Sequence, residues 1–238
     1  MEALANFLKR REVRYIRNIR AIFMRKLRSR RRYLASYSTR PISIKYGFDR
    51  GTPVDRFYIE SFLEDHKDQI HGVCLEVVDD TYIRKFGAEK VTQSDAVDIF
   101  KTKKANIHAD LRDLKDDIGD EVYDTIILTQ TLHVIDDYES VIRECRRILK
   151  TGGSLIVTLP TVSPAWNLKI NHWRFSPDSA RYIFTKYFEQ SKVKITHYGN
   201  RKSSEFFWLG MATQDMTKDE LAYDDPSAPT IVGVIAIK

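Results

Sequence analysis

Residues 123–160 read YDTIILTQTLHVIDDYESVIRECRRILKTGGSLIVTLP. Residues 123–129 form an Ile- and Leu-rich run, as expected for a strand buried on both faces of a parallel sheet. Over residues 138–149 the apolar side chains fall on one helical face, with Val141, Ile142, Cys145, Ile148 and Leu149 three or four positions apart. Asp136 and Glu139 are the expected cap pair. Arg146, Arg147 and Lys150 fill the last turn, where cations meet the negative end of the helix dipole, and Gly152-Gly153 ends the helix. Residues 154–159 then form a second apolar strand.

The same alternation extends both ways. Upstream, a helix opens at Thr52 as N-cap, with Pro53 at its first position and Asp55 completing the cap. Phe57, Tyr58, Ile59, Phe62 and Leu63 give it an apolar face. Residues 73–78, 90–94 and 106–110 are read as three strands. Downstream, Ser176-Pro177-Asp178 opens a helix that runs to Phe188, and residues 192–198 and 230–237 close the series as strands. Phe206–Leu209 is read as helix packed on the sheet. No helix of crossover length separates the last two strands, so the final one is expected to be antiparallel. The expected fold is α/β: a Rossmann-like, doubly wound, seven-stranded sheet with helices on both faces.

Charge divides the 238-residue chain. Residues 1–40 hold thirteen Lys/Arg and two Glu; the remainder holds 26 basic and 31 acidic residues. Leu4, Leu8, Tyr15, Ile16, Ile19, Ile22, Phe23 and Leu27 recur at helical spacing within the basic part. Residues 1–37 are therefore expected to form a basic amphipathic helical arm, residues 38–51 a linker, and residues 52–238 the domain. Such an arm suits an anionic membrane surface, a protein partner or, with less support from its Tyr, Phe and Ile content, nucleic acid. No apolar run is long enough to span a bilayer, and no signal peptide is visible. Cys74 and Cys145 sit in apolar runs and are read as buried, reduced thiols of a cytoplasmic protein, with no zinc-site spacing around them.

In an open parallel sheet, ligands bind at the carboxyl ends of the strands. There the sequence places Glu76, Val78, Asp79 and Asp80 after the first strand, Asp95 after the second, Asp110 after the third, and Thr129, Gln130, Thr131, Leu132 and His133 after the fourth. Asp95 stands 19 residues past Glu76, a spacing suited to an acid that accepts both hydroxyls of a ribose. Glu76 is a charge in an apolar strand, which favours a ligand-facing role over a structural salt bridge. Asp79 and Asp80 serve either the site or the cap of a short helix at residues 81–86. His133 is either a general base or a packed turn residue. His172, Trp173 and Arg174 follow the fifth strand, where they line an acceptor pocket or, for Trp173, the core.

The segments YDTIILTQTLHVIDD and RECRRILKTGGSLIVTLP resemble the later motifs of class I S-adenosylmethionine-dependent methyltransferases. More narrowly, LEVVDDTYIRKFG, VTQSD, ADL, LTQTLH and WRF resemble a bacterial subgroup associated with glycosyltransferases and surface polysaccharide assembly. The resemblance implies S-adenosyl-L-methionine as cofactor. It places Glu76 near the methionine portion, Asp95 at the ribose, Asp110 and Leu111 beside adenine, and Thr129 and Gln130 on the floor. The family's first motif reads acid-x-Gly-x-Gly, whereas here it is Glu76-Val77-Val78-Asp79-Asp80, without glycine. Glycine permits a tight turn and close approach to the ligand. Three outcomes are open: a cofactor seated further out, weakened affinity, or a dead site.

The expected function is methyl transfer to oxygen of a small-molecule or glycan-linked acceptor, in the cytoplasm or at the inner membrane face. The rivals are a catalytically degenerate scaffold and a nucleic-acid methyltransferase that grips its substrate with residues 1–36.

Overall fold

The structure is a computed structural model that describes residues 39–166 and 170–238. The basic arm expected over residues 1–37 lies outside them. Six strands form one sheet: β1 (Gly72–Val77), β2 (Val91–Val97), β3 (Tyr123–Thr129), β4 (Leu149–Pro160), β5 (Val193–Tyr198) and β6 (Ile231–Ile237). Their order is β2-β1-β3-β4-β6-β5. The first four are parallel, and β6 runs antiparallel to both of its neighbours.

Six strands replace the seven expected. Residues 106–110 touch the sheet through one parallel bridge, Val97 to Ile107, and then turn back at an Asp110–Asp113 bridge. Their polar side chains take over the hydrogen bonds a ladder would need. Asn106 Oδ1 accepts from the Ala96 amide at 2.7 Å, and Asp110 Oδ1 accepts from the Arg112 amide at 2.9 Å. The second of these is an Asx turn, a local bond that competes with strand pairing.

Strand alternation divides the core into two layers. Leu75, Ile126, Leu128, Leu155 and Val157 face α2 (Tyr138–Ile148) and α3 (Pro177–Phe184). Cys74, Ile127, Ile156 and Ile235 face α1 (Val54–Asp65) and α4 (Arg201–Trp208). A short helix, α5 (Lys218–Ala222), follows α4. Gly233 in β6 lets α1 approach, since a Cβ there would stand 2.5 Å from the Phe62 ring. Both cysteines are buried free thiols. Phe206 and Phe207 are buried beneath α4, as its apolar character predicts.

Several element ends differ from the reading above. Asp137, not Asp136, caps α2 by accepting from the Ser140 amide; Asp136 instead pairs with Arg112 at 2.9 Å. Helix α1 begins one residue after Pro53 with no side-chain cap; the Thr52 hydroxyl instead accepts from Gln214 Nε2 at 3.4 Å. Helix α2 stops at Ile148, and residues 150–153 bulge between the Tyr123–Leu149 and Thr125–Ser154 pairings, with Gly152 at φ +84°. Helix α3 ends at Phe184. Residues 83–87 form a single wide π turn. The described part of residues 38–51 packs along the 209–216 stretch. Ile42 donates to the Leu209 carbonyl at 2.8 Å, and Arg50 makes a two-pronged ion pair with buried Asp215. No helix among the described residues is long and apolar enough to cross a membrane.

Candidate functional site

Two cavities open at the carboxyl ends of β1, β2 and β3, and Val77, Thr131 and Val134 line both. The first, about 400 Å³, is apolar: Val97, Ile99, Phe100, Ala109, Leu111, Ile135 and Ile170 wall it. Asp98, Asp110 and His172 stand in the same lining. The second, about 870 Å³, is polar and holds Glu76, Val78, Asp79, Thr129 and Gln130 with Thr52, Arg56, Glu60, Tyr82 and Lys104. Together they make one cleft, narrow and greasy at one end and charged at the other.

Glu76 is 3 % exposed. Its Oε2 accepts from the amides of Tyr82 and Ile83, both at 2.9 Å. Burial pushes its carboxyl up to about 8 against those two hydrogen bonds, and Asp79 and Asp80 add to the rise. Two backbone donors thus hold the side chain in one place at the junction of the strand and the π turn.

Val78 follows with φ +75°. A β-branched residue in the left-handed region is unusual and strained. The conformation is locked by the Val78 amide, which donates to the Val97 carbonyl at 2.9 Å. The chain therefore keeps the turn a glycine would make, without the glycine. Asp79 closes the loop, accepting from the Thr81 amide at 3.2 Å and from Lys104 Nζ at 3.0 Å. Asp80 faces away, paired with Ser94 and Arg84.

Asp95 is not at the end of its strand. Strand β2 continues to Val97, three residues further than expected, so Asp95 sits opposite Leu75 inside the ladder. Gln93 Nε2, Asn106 Nδ2 and the Tyr123 hydroxyl all donate to its carboxylate, at 2.9, 2.8 and 3.1 Å. It is a structural node outside both linings. The acid at the carboxyl end is Asp98, 22 residues past Glu76 and 9 % exposed. Its Oδ1 accepts from the Phe100 amide at 3.0 Å, which aims the group along the rim of the apolar cavity. In the alternating run VTQSDAVD a one-strand-end error moves the choice of acid, so only the strand's true length separates Asp98 from Asp95.

Asp110 and Leu111 lie in the apolar cavity as expected. Arg112 clasps Asp110 through Nε and Nη2 and holds its carboxyl below the usual range. Thr129 and Gln130 form the floor of the polar cavity. Gln130 has φ +48°, and its buried Nε2 has no hydrogen-bond partner among the described residues.

His133 is buried and lies outside both linings. Burial and the nearby Arg174 charge push its imidazole down to about 4, so it is neutral at physiological pH. Its Nδ1 has no partner among the described residues. Its carbonyl accepts from the His172 and Trp173 amides. The three residues expected to form one acceptor pocket diverge. His172 faces the apolar cavity. Trp173 donates from Nε1 to the Ile135 carbonyl at 2.9 Å and packs edge-on against Tyr138. Arg174 spends its donors on Asn171 Oδ1 and on the carbonyls of Trp173 and Ser163, which ties the loop together. Among the described residues no cluster of His, Cys, Asp and Glu is suited to a metal ion.

Residues 74–157 match the model of the methyltransferase domain. No curated protein matches the sequence. Among solved structures, the chain is similar to an S-adenosylmethionine-dependent methyltransferase from Archaeoglobus fulgidus, with 14% identity, TM-score 0.53, and 77% of this chain and 94% of that one covered. It is similar to a possible histamine N-methyltransferase from Thermotoga maritima, with 20% identity, TM-score 0.53, and coverages of 80% and 94%. It is also similar to the N-methyltransferase NodS from Bradyrhizobium japonicum in complex with S-adenosyl-L-homocysteine, with 11% identity, TM-score 0.50, and coverages of 79% and 89%. The likeness to solved structures establishes the fold. Within that fold, residues 74–157 correspond to a methyltransferase domain.

Proposed function

We propose that this protein transfers the methyl group of S-adenosylmethionine to an oxygen of a small-molecule or glycan-linked acceptor. The observation that carries the reading is the loop at residues 76–79. It has lost every glycine of the family motif yet Val78 holds the left-handed turn, and Glu76 stays fixed by two amides. A scaffold protein freed from catalysis has no reason to keep a strained turn at this point.

The cleft fits the cofactor on its own terms. The apolar cavity suits a purine, the Asp98 carboxylate on its rim suits two ribose hydroxyls, and the polar cavity suits a charged amino-acid end. Gln130 lines that polar space, and its buried Nε2 has no partner among the described residues, the mark of a group that an acceptor oxygen satisfies when a ligand binds.

When bound, the cofactor supplies an electrophilic methyl on a positively charged sulfur. With the cofactor held by Glu76, Asp98, Leu111 and Gln130, the acceptor oxygen would take that methyl group and release its proton to solvent. Positioning provides most of the acceleration in such a displacement. The oxygen acceptor rests on the sequence reading alone, since His133, a buried neutral imidazole past β3, stands outside both cavity linings. The glycan-linked acceptor rests on the subgroup resemblance of residues 75–87, 91–95, 109–111, 128–133 and 173–175. A membrane or protein partner for residues 1–36, and a cytoplasmic or membrane-peripheral location, rest on the sequence alone.

Calorimetric titration with S-adenosylhomocysteine tests the core of this reading. Saturable binding is expected, and no heat at millimolar ligand would sink it. Transfer of labelled methyl to alcohols or saccharides, but not to amines, is the expected outcome for the acceptor; amine-only transfer would overturn the oxygen assignment.

A further inference from the structure

Arg56 projects from the first turn of α1 into the wall of the polar cavity. Its Nη1 donates to the Tyr82 hydroxyl at 2.7 Å, and its guanidinium carbon lies 5.9 Å from the centre of the Tyr82 ring. A guanidinium has five N–H donors in a planar fork. Among the described residues it makes only this hydrogen bond, to a neutral phenol; the Asp55 and Glu60 carboxylates act on the guanidinium through their charge without forming an ion pair within 4 Å. Glu60, the acid one turn further along α1 in the same wall, is engaged by Lys85 at 2.7 Å. Across the cavity, Asp79 is engaged by Lys104 at 3.0 Å. The fork is therefore held still on one side and open on the other, facing ligand space. Tyr82 ties this cation to the other fixed group of the cavity, since its amide donates to Glu76 while its hydroxyl receives Arg56.

From this arrangement we infer that Arg56 is the anchor for the α-carboxylate at the amino-acid end of the methyl donor, with Tyr82 as the residue that positions it. The inference rests on the methyl-donor reading above and adds to it a cofactor-binding residue on the helix that precedes the first strand, outside residues 74–157. A planar carboxylate matches the fork, and charge-assisted pairs of this geometry are strong and directional.

The test uses two ligands and two variants of the full chain. S-adenosylhomocysteine carries the carboxylate; 5′-methylthioadenosine keeps the nucleoside and sulfur but lacks the amino-acid end. In calorimetry, Arg56→Gln is expected to weaken S-adenosylhomocysteine about 10- to 100-fold, the range a charge-assisted hydrogen bond supplies. Methylthioadenosine affinity is expected to stay within about twofold, which also reports that the cleft is folded. Tyr82→Phe is expected to weaken S-adenosylhomocysteine several-fold by freeing the fork. An equal loss for both ligands, or no loss for S-adenosylhomocysteine, overturns the assignment while leaving the methyl-donor reading intact. A wild-type protein that binds neither ligand overturns both.

Discussion

Replacing Val78 with glycine isolates what the missing glycines cost. Val78 has φ +75° and is 47 % exposed. Holding an L-residue in the left-handed region costs about 1–2 kcal/mol, and β-branching adds to this. Glycine releases that strain but loses about 0.5–1 kcal/mol through backbone entropy. Removing a half-buried valine side chain forfeits roughly 1 kcal/mol of burial. These effects nearly cancel, so Val78→Gly is expected to change stability by less than about 1 kcal/mol, a Tm shift of no more than about 2–4 °C for a chain of this size. The control is Val91→Gly, at a partly buried valine that opens β2 in ordinary extended backbone. It carries the same entropy and burial losses with no strain to release, and is expected to cost about 2 kcal/mol. Denaturant unfolding of both variants gives the gap directly. The Val78 change also removes two methyls from the cavity wall, so S-adenosylhomocysteine affinity is expected to hold or improve. Equal destabilisation of the two variants, or a loss of affinity in Val78→Gly, would refute the claim that valine occupies a glycine's conformation here at a cost.

Three other outcomes follow from the same geometry. Asp98→Asn is expected to weaken S-adenosylhomocysteine about 10- to 100-fold with little change in Tm, whereas Asp95→Asn should lower stability by about 1–3 kcal/mol through the Gln93, Asn106 and Tyr123 contacts and leave affinity nearly unchanged; the reverse pattern in paired calorimetry and melting would return the ligand role to Asp95. Glu76 keeps its proton in the folded state up to about 8 but loses it near 4.5 when unfolded, so the unfolded state binds fewer protons in that window and stability falls as pH rises through it, by at most about 5 kcal/mol; urea titrations from pH 5 to 9 should show this slope flatten in Glu76→Gln, and an unchanged slope would contradict the buried, protonated carboxyl. Asp215→Ala leaves Arg50 buried and unpaired, at an expected cost of about 3–5 kcal/mol; a loss below 1 kcal/mol in urea unfolding would show that residues 39–53 are not an integral part of the fold.

The elements with a strong period were legible from composition and spacing. Residues 123–160 give an uninterrupted apolar strand, a one-faced helix and a second strand, and each signal is local. The floor at Thr129 and Gln130 followed from the end of β3, whereas Asp110 and Leu111 line the apolar cavity although residues 106–110 form no strand. Asp98 was missed because Asp95 directly follows residues 90–94 and looks like the acid that ends the strand, until Gln93, Asn106 and Tyr123 are seen to satisfy it inside the ladder. Arg56 was missed because nothing in the sequence tells that the start of α1 forms a wall of the cleft. Trp173 and Arg174 looked like binding groups, but their donors are spent on the carbonyls of Ile135, Trp173 and Ser163.

The sequence by itself determined the alternation of strands and helices, the antiparallel last strand and the place of the cleft at the strand ends, because periodicity and turn residues act over a few neighbours. Only the tertiary structure decided which acid meets that cleft, which arginine faces it, and whether the glycine-free loop keeps its shape. Those depend on where a strand stops and on one hydrogen bond across the sheet, from the Val78 amide to the Val97 carbonyl, between residues 19 positions apart.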